Sequence, residues 1–476
     1  MDWKNFDEIL SQAGQYTVYE GSRDTSGDVL AAIVRVNGEK KLAVSGSAGQ
    51  FEGKDIGGVK LCGLTVENSR ALMELFPYTR PVSHQGHNFS LGLGDRLGAA
   101  TPGQLRALAG KDVFPVLAQQ SIRELTLTNR TFPEVIAAAA FGVFEAGWKS
   151  GYGADGDHLK TKEEIRYALE SGCTMITLDC SAHIRDDAAN LTGTELKAAY
   201  DALPAETRQH YESLYLGREL PMVGKLGEDE FMKLVLVFSG AVTHAIDCYR
   251  YIESIATARF DFELSIDEAR AVTSPAEHLI IAMELKAAGI TPVSVAPHFS
   301  GEFEKGIEYQ GKLSDFVRDL KIHQEIAEMY GYKLSLHSGS DKFSVFSSFS
   351  RITGGRMHVK TAGTNWLEAV RVMSREAPDL YRRAQKFALE KYPESSQYYH
   401  VSTDPYSIQD IDLLSDAYLP ELVDLPASRQ LMHISYGVLL AEPWFKDAFY
   451  AMLNEKEEAY YAGLDHHIGR HLRYLL

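Results

Sequence analysis

Three histidines in this 476-residue chain stand where a short strand-like run gives way to small or polar residues. His337 follows Leu334-Ser335-Leu336 and precedes Ser338-Gly339-Ser340, whose small side chains let the backbone turn sharply. His298 ends Pro292-Val293-Ser294-Val295-Ala296-Pro297, and His158 follows Gly153-Ala154-Asp155-Gly156-Asp157. In a parallel α/β fold, loops leaving the C-terminal ends of strands converge on one opening, and catalytic groups collect there. Three imidazoles at such ends, with carboxylates beside them, supply the donors that a divalent metal takes.

Two carboxylates stand out as acid/base candidates. Asp157 adjoins His158; the structural alternative is that it caps a helix starting near Thr161 while His158 is merely packed. Glu263 lies in Asp261-Phe262-Glu263-Leu264-Ser265-Ile266-Asp267-Glu268, where strand alternation puts Glu263 and Ser265 on one face. Asp267 and Glu268 are expected to start the next helix, where negative charge suits the N-terminus.

Other polar groups gather at the same predicted strand ends. The loop Leu91-Gly92-Leu93-Gly94-Asp95-Arg96-Leu97-Gly98 fails the spacing of a phosphate-binding glycine loop and lacks a following Lys-Ser or Lys-Thr. Asp95 and Arg96 are therefore read as groups for sugar hydroxyls and a carboxylate, or as a structural ion pair. Gln120 and Arg123 leave the second predicted strand in the same way, and Lys342, Lys360 and Thr361 complete the ring. Lys360 would suit a Schiff-base aldolase, but the histidine set argues for a metal as the electrophile.

These residues need a scaffold with several strand ends on one side. Strand candidates end near Gly92, Ala118, Gly153, Asp179, Ser265, Ala296, Leu336 and Lys360, and the Gly-rich stretch after Gly153 reads as a bend that leads to Asp157 and His158. Helical periodicity fills Pro133 to Trp148, Lys162 to Ser171, Pro275 to Ala288 and Lys312 to Tyr330. Repeated strand-then-helix order implies a parallel sheet, and about eight such units close a TIM-type (β/α)8 barrel. The barrel domain is expected over 76–476, with a helical insertion at about 184–259 and a helical C-terminus. The insertion would serve as a lid, as a homo-oligomer contact or as passive elaboration. Residues 1–75 read as a small β-rich appendage with a hairpin at Asn37-Gly38.

A formal charge of −17 disfavours a nucleic-acid partner, because phosphates would be repelled. The four cysteines, Cys62, Cys173, Cys180 and Cys248, form neither a metal-binding pair motif nor a disulfide framework and read as buried thiols. No targeting segment opens the chain and no run of about 18 apolar residues appears, so a cytoplasmic protein acting on a small molecule is expected, with no membrane partner.

The motifs around Asp95-Arg96, Gln120-Ser121-Ile122-Arg123, Asp155-Gly156-Asp157-His158, His337-Ser338-Gly339-Ser340-Asp341-Lys342 and Lys360-Thr361-Ala362-Gly363 together resemble the tagaturonate/fructuronate epimerase family. The resemblance implies a divalent-metal enzyme (Zn, Mn, Fe, Co or Ni) that interconverts two keto-hexuronates, with some members acting on fructose and tagatose. It implies His158, His298 and His337 as metal ligands and Asp157 and Glu263 as the proton-transferring pair. The sugars differ at a carbon β to the ketone, whose C–H the carbonyl does not acidify, so simple enolisation cannot invert it. Retro-aldol cleavage and re-addition, or hydrogen removal through a transposed carbonyl, would. Runner-up readings are a class II aldolase or sugar isomerase on a similar barrel, and a sugar-binding protein without turnover.

Overall fold

The computed structural model describes residues 1–269 and 271–476. After an N-terminal helix, Trp3–Gln12, comes a six-stranded antiparallel sheet: β1 (Tyr16–Val18), β2 (Asp24–Ser26), β3 (Val29–Val36), β4 (Glu39–Ser45), β5 (Gly53–Asp55) and β6 (Val59–Cys62). The β3–β4 hairpin turns at Asn37 and Gly38, both with positive φ, the backbone twist that a two-residue hairpin loop requires. One face of this sheet, through Ile33, Leu42 and Val44, packs on Ala137, Phe141 and Phe144 of the Phe132–Glu145 helix.

Eight parallel strands then close a barrel in chain order: β7 (Phe89–Gly92), β8 (Phe114–Ser121), β9 (Gly153–Leu159), β10 (Met175–Asp179), β11 (Asp261–Ser265), β12 (Ser294–Ala296), β13 (Lys333–Leu336) and β14 (Met357–Lys360), with β14 pairing back onto β7. The expected (β/α)8 architecture is therefore present. Crossover helices start at capping boxes visible in the sequence, Thr131 with Glu134, Thr161 with Glu164 and Ser274 with Glu277. Thr161 is itself the cap of the Lys162–Ser171 helix, so Asp157 does not serve that purpose.

Strand β9 differs from expectation. Gly153-Ala154-Asp155-Gly156-Asp157-His158-Leu159 is poor in strand formers, yet the whole stretch is the strand rather than a bend following a strand that ends near Gly153. Pairing to β8 on one side and β10 on the other overrides propensity. The register against β10 shifts between Gly156 and Leu159, and His158 sits in the bulge with φ 54°.

The insertion between β10 and β11 carries the helices Gly193–Asp201, Ala205–Tyr215 and Glu228–Ile255. Among the described residues, Glu228–Ile255 is the one helix long and apolar enough to cross a membrane, contrary to the expectation of no such run. Its Phe231, Leu234, Val235, Phe238 and Val242 are buried in the protein core, which accounts for the apolar character. After β14 the chain is helical, and the final Glu457–Leu475 helix packs on Thr101–Leu108, where a Cβ at Gly103 would lie 2.9 Å from the Tyr461 Cα.

Candidate functional site

Barrels of this type are usually filled by branched aliphatic side chains. Here the inward positions of β9, β10, β11 and β14 supply Asp155 and Asp157, Thr177, Glu263 and Lys360, all buried. Lys360 Nζ lies 3.0 Å from Asp155, 2.6 Å from Asp157, 2.6 Å from Thr177 Oγ1 and 2.9 Å from Glu263. One ammonium thus faces three carboxylates, and Thr177 also donates toward Asp155.

Two of these carboxylates hold histidines at the C-terminal mouth. Glu263 Oε1 is 2.7 Å from His337 Nε2, and Asp157 Oδ1 is 2.8 Å from His158 Nδ1. The opposite nitrogens of both rings converge on Asp267: its Oδ1 lies 3.1 Å from His337 Nδ1 and 3.8 Å from His158 Nε2. The two ring centroids are 4.9 Å apart. Ligand atoms of His158, Asp267 and His337 lie within 4.8 Å of one another. Ser338, directly after His337, takes a positive φ of 50°, so both histidines are presented by backbone in an unusual conformation.

Burial opposes charge on every member, and pairing overcomes it for nearly all. Asp157 and Glu263 are held well below the usual carboxylate range by Lys360 and the histidines, and Asp267 by His337 and His158. The same pairs raise His158 and His337, and the three carboxylates raise Lys360. Asp155 is the exception: burial pushes it up to about 6, with Asp157 and Glu263 adding to the rise and Lys360 resisting it.

The donor set fits a divalent cation: two imidazole nitrogens and one carboxylate oxygen, with each imidazole's other nitrogen fixed by a carboxylate behind it. Two adjoining clefts open beside this group and share Arg123, Asp267, Glu268, Lys305, His337 and Ser338 in their linings.

The expected site residues divide accordingly. His158 and His337 come together, while the third member of the compact group is Asp267 rather than His298. His298 lines the same cleft, and its Nδ1 donates to the Ala269 carbonyl at 2.7 Å, leaving Nε2 with a lone pair. Asp267 and Glu268 do not start a helix; the next one begins at Pro275, and both line the cleft. Asp157 lines it as well, whereas Glu263 is fully enclosed beneath His337. Arg123 is present in both clefts and Arg96 in one, the latter paired with Glu124 and stacked 4.0 Å from the Tyr436 ring.

Three expectations are corrected. Asp95 points into its own loop, accepting from the backbone N–H of Leu97, Gly98 and Ala100. Gln120 lies on the outward face of β8, and the neighbouring Gln119 lines the cleft, because alternation pairs Gln119 and Ser121 with the inward Asp155 and Asp157. Lys342 is buried and donates to the carbonyls of Glu304, Ile307 and Ser340. Lys360 lines the cleft but spends its donors on the carboxylates beneath. Sequence reasoning missed Asp155, Asp267 and Lys305; period-two spacing from Asp157 pointed to Asp155, and no local signal marked Lys305.

A second histidine–carboxylate group, Asp341, His467 and His471, lies away from the mouth. His471 donates from Nδ1 to the His467 carbonyl and accepts the Asp341 N–H at Nε2, and Asp341 pairs with Arg429. Both ring nitrogens of His471 are therefore used in holding the fold.

Comparison with known proteins gives one consistent result. Residues 19–475 match the family model described as UxaE, tagaturonate epimerase. The tagaturonate/fructuronate epimerase of Thermotoga maritima is 37% identical over 468 residues, covering 96% of each chain. Native crystals of the fructuronate-tagaturonate epimerase UxaE from Cohnella laeviribosi give a structure 44% identical over 99% of each chain, with a TM-score of 0.95. A glycerol complex of the same protein superposes equally well.

Proposed function

Because the chain belongs to the tagaturonate epimerase family, we propose that it interconverts D-tagaturonate and D-fructuronate with the help of a divalent cation at the barrel mouth. The observation that carries this reading is the convergence of His158 Nε2, His337 Nδ1 and Asp267 Oδ1 at the edge of a cleft lined by Arg123, Lys305 and Asp157. His298, with its Nδ1 committed to a carbonyl, offers Nε2 as a further ligand from the adjoining wall. When bound, the cation supplies a Lewis acid for substrate oxygens and for the negative charge that develops on them.

The remaining work falls to the chain's own residues. Asp157 reaches the cleft, holds the His158 ring by Nδ1 and is kept ionised by Lys360, so its carboxylate is the group placed to accept a hydroxyl proton from the sugar. Glu263 is enclosed and bonded to His337 Nε2, which makes it a positioning residue for that ring rather than a group that touches substrate. Gln119 and Ser121 supply neutral polar groups to the same wall.

The test uses protein loaded separately with Zn, Mn, Fe, Co or Ni and incubated with fructuronate, tagaturonate, fructose and tagatose. Epimer formation from the uronates that stops on chelation and returns on reloading is the expected result. Accumulation of three-carbon products or of an aldose, or activity that survives His158→Ala and His337→Ala, would overturn it.

A further inference from the structure

Four cationic side chains enter the cleft, and only two have carboxylate partners. Arg96 is bound by Glu124 at 2.7 Å, and Lys360 by three carboxylates. Among the described residues, Lys305 Nζ has one hydrogen-bond partner, the Ser338 hydroxyl at 2.8 Å. Arg123 donates to the Tyr398 carbonyl at 3.1 Å and lies 4.8 Å from the Tyr399 ring. Among the described residues no carboxylate comes within ion-pair distance of either. The acidic groups nearby are engaged elsewhere: Glu124 on Arg96 and the Ser121 N–H, Glu304 on the Ser402 N–H and Gln430, and Glu268 toward His158 at 3.9 Å.

Two like charges placed together in a cleft repel one another, and Lys305, half-buried beside the exposed Arg123, also loses part of its hydration. Burial and the neighbouring Arg123 indeed lower the Lys305 ammonium from its ordinary range. A protein with 65 acidic residues against 48 basic ones leaves this pair unneutralised beside the cation-binding group. Ser338, the hydroxyl partner of Lys305, follows His337 directly, so Lys305 is tied by one residue to the loop that carries a proposed ligand. An anion arriving with the substrate is the missing partner, and a carboxylate matches the donors: Arg123 offers a planar fork and Lys305 a point charge.

We propose that Lys305 and Arg123 form the subsite that takes the carboxylate of a sugar acid, and that Lys305 sets the preference for a keto-uronate over the corresponding neutral ketose. This rests on the epimerase reading only for the identity of the reacting substrate; the subsite itself is defined by its anion chemistry.

The experiment therefore has two independent arms, with Lys305→Met, Lys305→Arg and Arg123→Met compared with wild type. In the first, metal-loaded protein is titrated calorimetrically with D-gluconate, a non-reacting sugar acid, and with D-glucitol, its neutral counterpart. Wild type is expected to bind gluconate more tightly than glucitol, Lys305→Met to lose roughly 10- to 100-fold in gluconate affinity, and Lys305→Arg to restore most of it. Glucitol binding should stay within about twofold in all, since a neutral polyol makes no charge-assisted bond. In the second arm, KM for tagaturonate should rise by a similar factor in Lys305→Met, with values for tagatose or fructose unchanged. Equal losses for acid and neutral ligands, gluconate affinity indifferent to Lys305, or no gluconate binding by wild type would overturn the proposal. Lys305-dependent gluconate binding without epimerisation would sink the epimerase reading alone. Uronate turnover indifferent to Lys305 would sink the subsite alone.

Discussion

Replacing Lys360 by methionine removes the one cation shared by Asp155, Asp157 and Glu263 while keeping most of the side-chain volume. Breaking a buried ion pair by deleting one partner costs about 3–5 kcal/mol, because the orphaned charge stays buried. Here the barrel can escape part of that cost by holding a proton, and Asp155, already pushed up to about 6 with Lys360 in place, is the group to take it. In the variant its carboxyl should rise further, whereas the unfolded chain releases the same proton near 3.9. The folded state then holds a proton that the unfolded state has lost as pH rises above 6, so stability must fall with pH, by at most about 1.4 kcal/mol per unit. Denaturant unfolding at pH 6, 7 and 8, in the presence of chelator, reads this slope directly. Adding Asp155→Asn to the variant removes both the proton and the repulsion, which should recover stability at pH 8 and flatten the slope. A Lys360→Met protein that loses the same amount at pH 6 as at pH 8, or a double variant no more stable than the single one, refutes the view of Lys360 as the charge balance of the barrel interior.

Glu263→Gln preserves a hydrogen-bonding group behind His337 but removes its charge, so divalent-cation affinity measured by calorimetric titration should fall about 10- to 100-fold. Asp267→Ala removes a proposed ligand and should weaken the same affinity at least as much; in the metal-free protein it also removes the carboxylate shared by both imidazoles, so the unfolding midpoint should fall. Asp155→Asn alone should remove one titration: a carboxyl raised to about 6 contributes stability below about 3.9 that is lost as pH rises through 6, so wild type should lose stability more steeply than the variant between pH 4 and 6 in denaturant unfolding. Asp95→Ala leaves three backbone N–H groups of its loop without their acceptor and should cost about 1–3 kcal/mol, with KM of the folded protein unchanged in a steady-state assay.

Strand ends were legible where the sequence pattern is strong. Leu334-Ser335-Leu336 before His337 and Val293 to Ala296 before His298 place both histidines at the mouth, as their apolar runs imply. Strand β9 was placed too early, before Gly153, because Gly and Asp carry no strand propensity and only pairing to both neighbours makes the stretch from Gly153 to Leu159 extended. The bulge at His158 has no sequence signature, yet it lets the adjacent Asp157 and His158 serve one site, which plain alternation forbids. Asp267 was lost because an acidic pair after a strand resembles a helix start; the chain instead runs on to Ser274 before the helix begins, and the spare length carries Asp267 over the barrel mouth. Gln119 was missed in favour of Gln120 for want of one residue of register, and register is set by the neighbouring strand. Lys305 stands in a long loop whose path depends on Lys342, three carbonyls and Gln430, so nothing local announces it.

The barrel interior explains why the site is built from below. Lys360 fixes Asp157 and Glu263 at once, and those two carboxylates each hold one imidazole by the nitrogen that faces away from the cleft. Charge therefore alternates along the barrel axis, an ammonium under two carboxylates under two ring N–H groups, and each layer sets the orientation and tautomer of the next. An aliphatic interior could hold the strands equally well, but it would leave both rings free to rotate and to choose a tautomer. The same logic separates the two lysines at the site: Lys360 is saturated and works through other residues, whereas Lys305 is left without a carboxylate and faces the ligand. Exchanging the two environments, not the residue type, would exchange their roles.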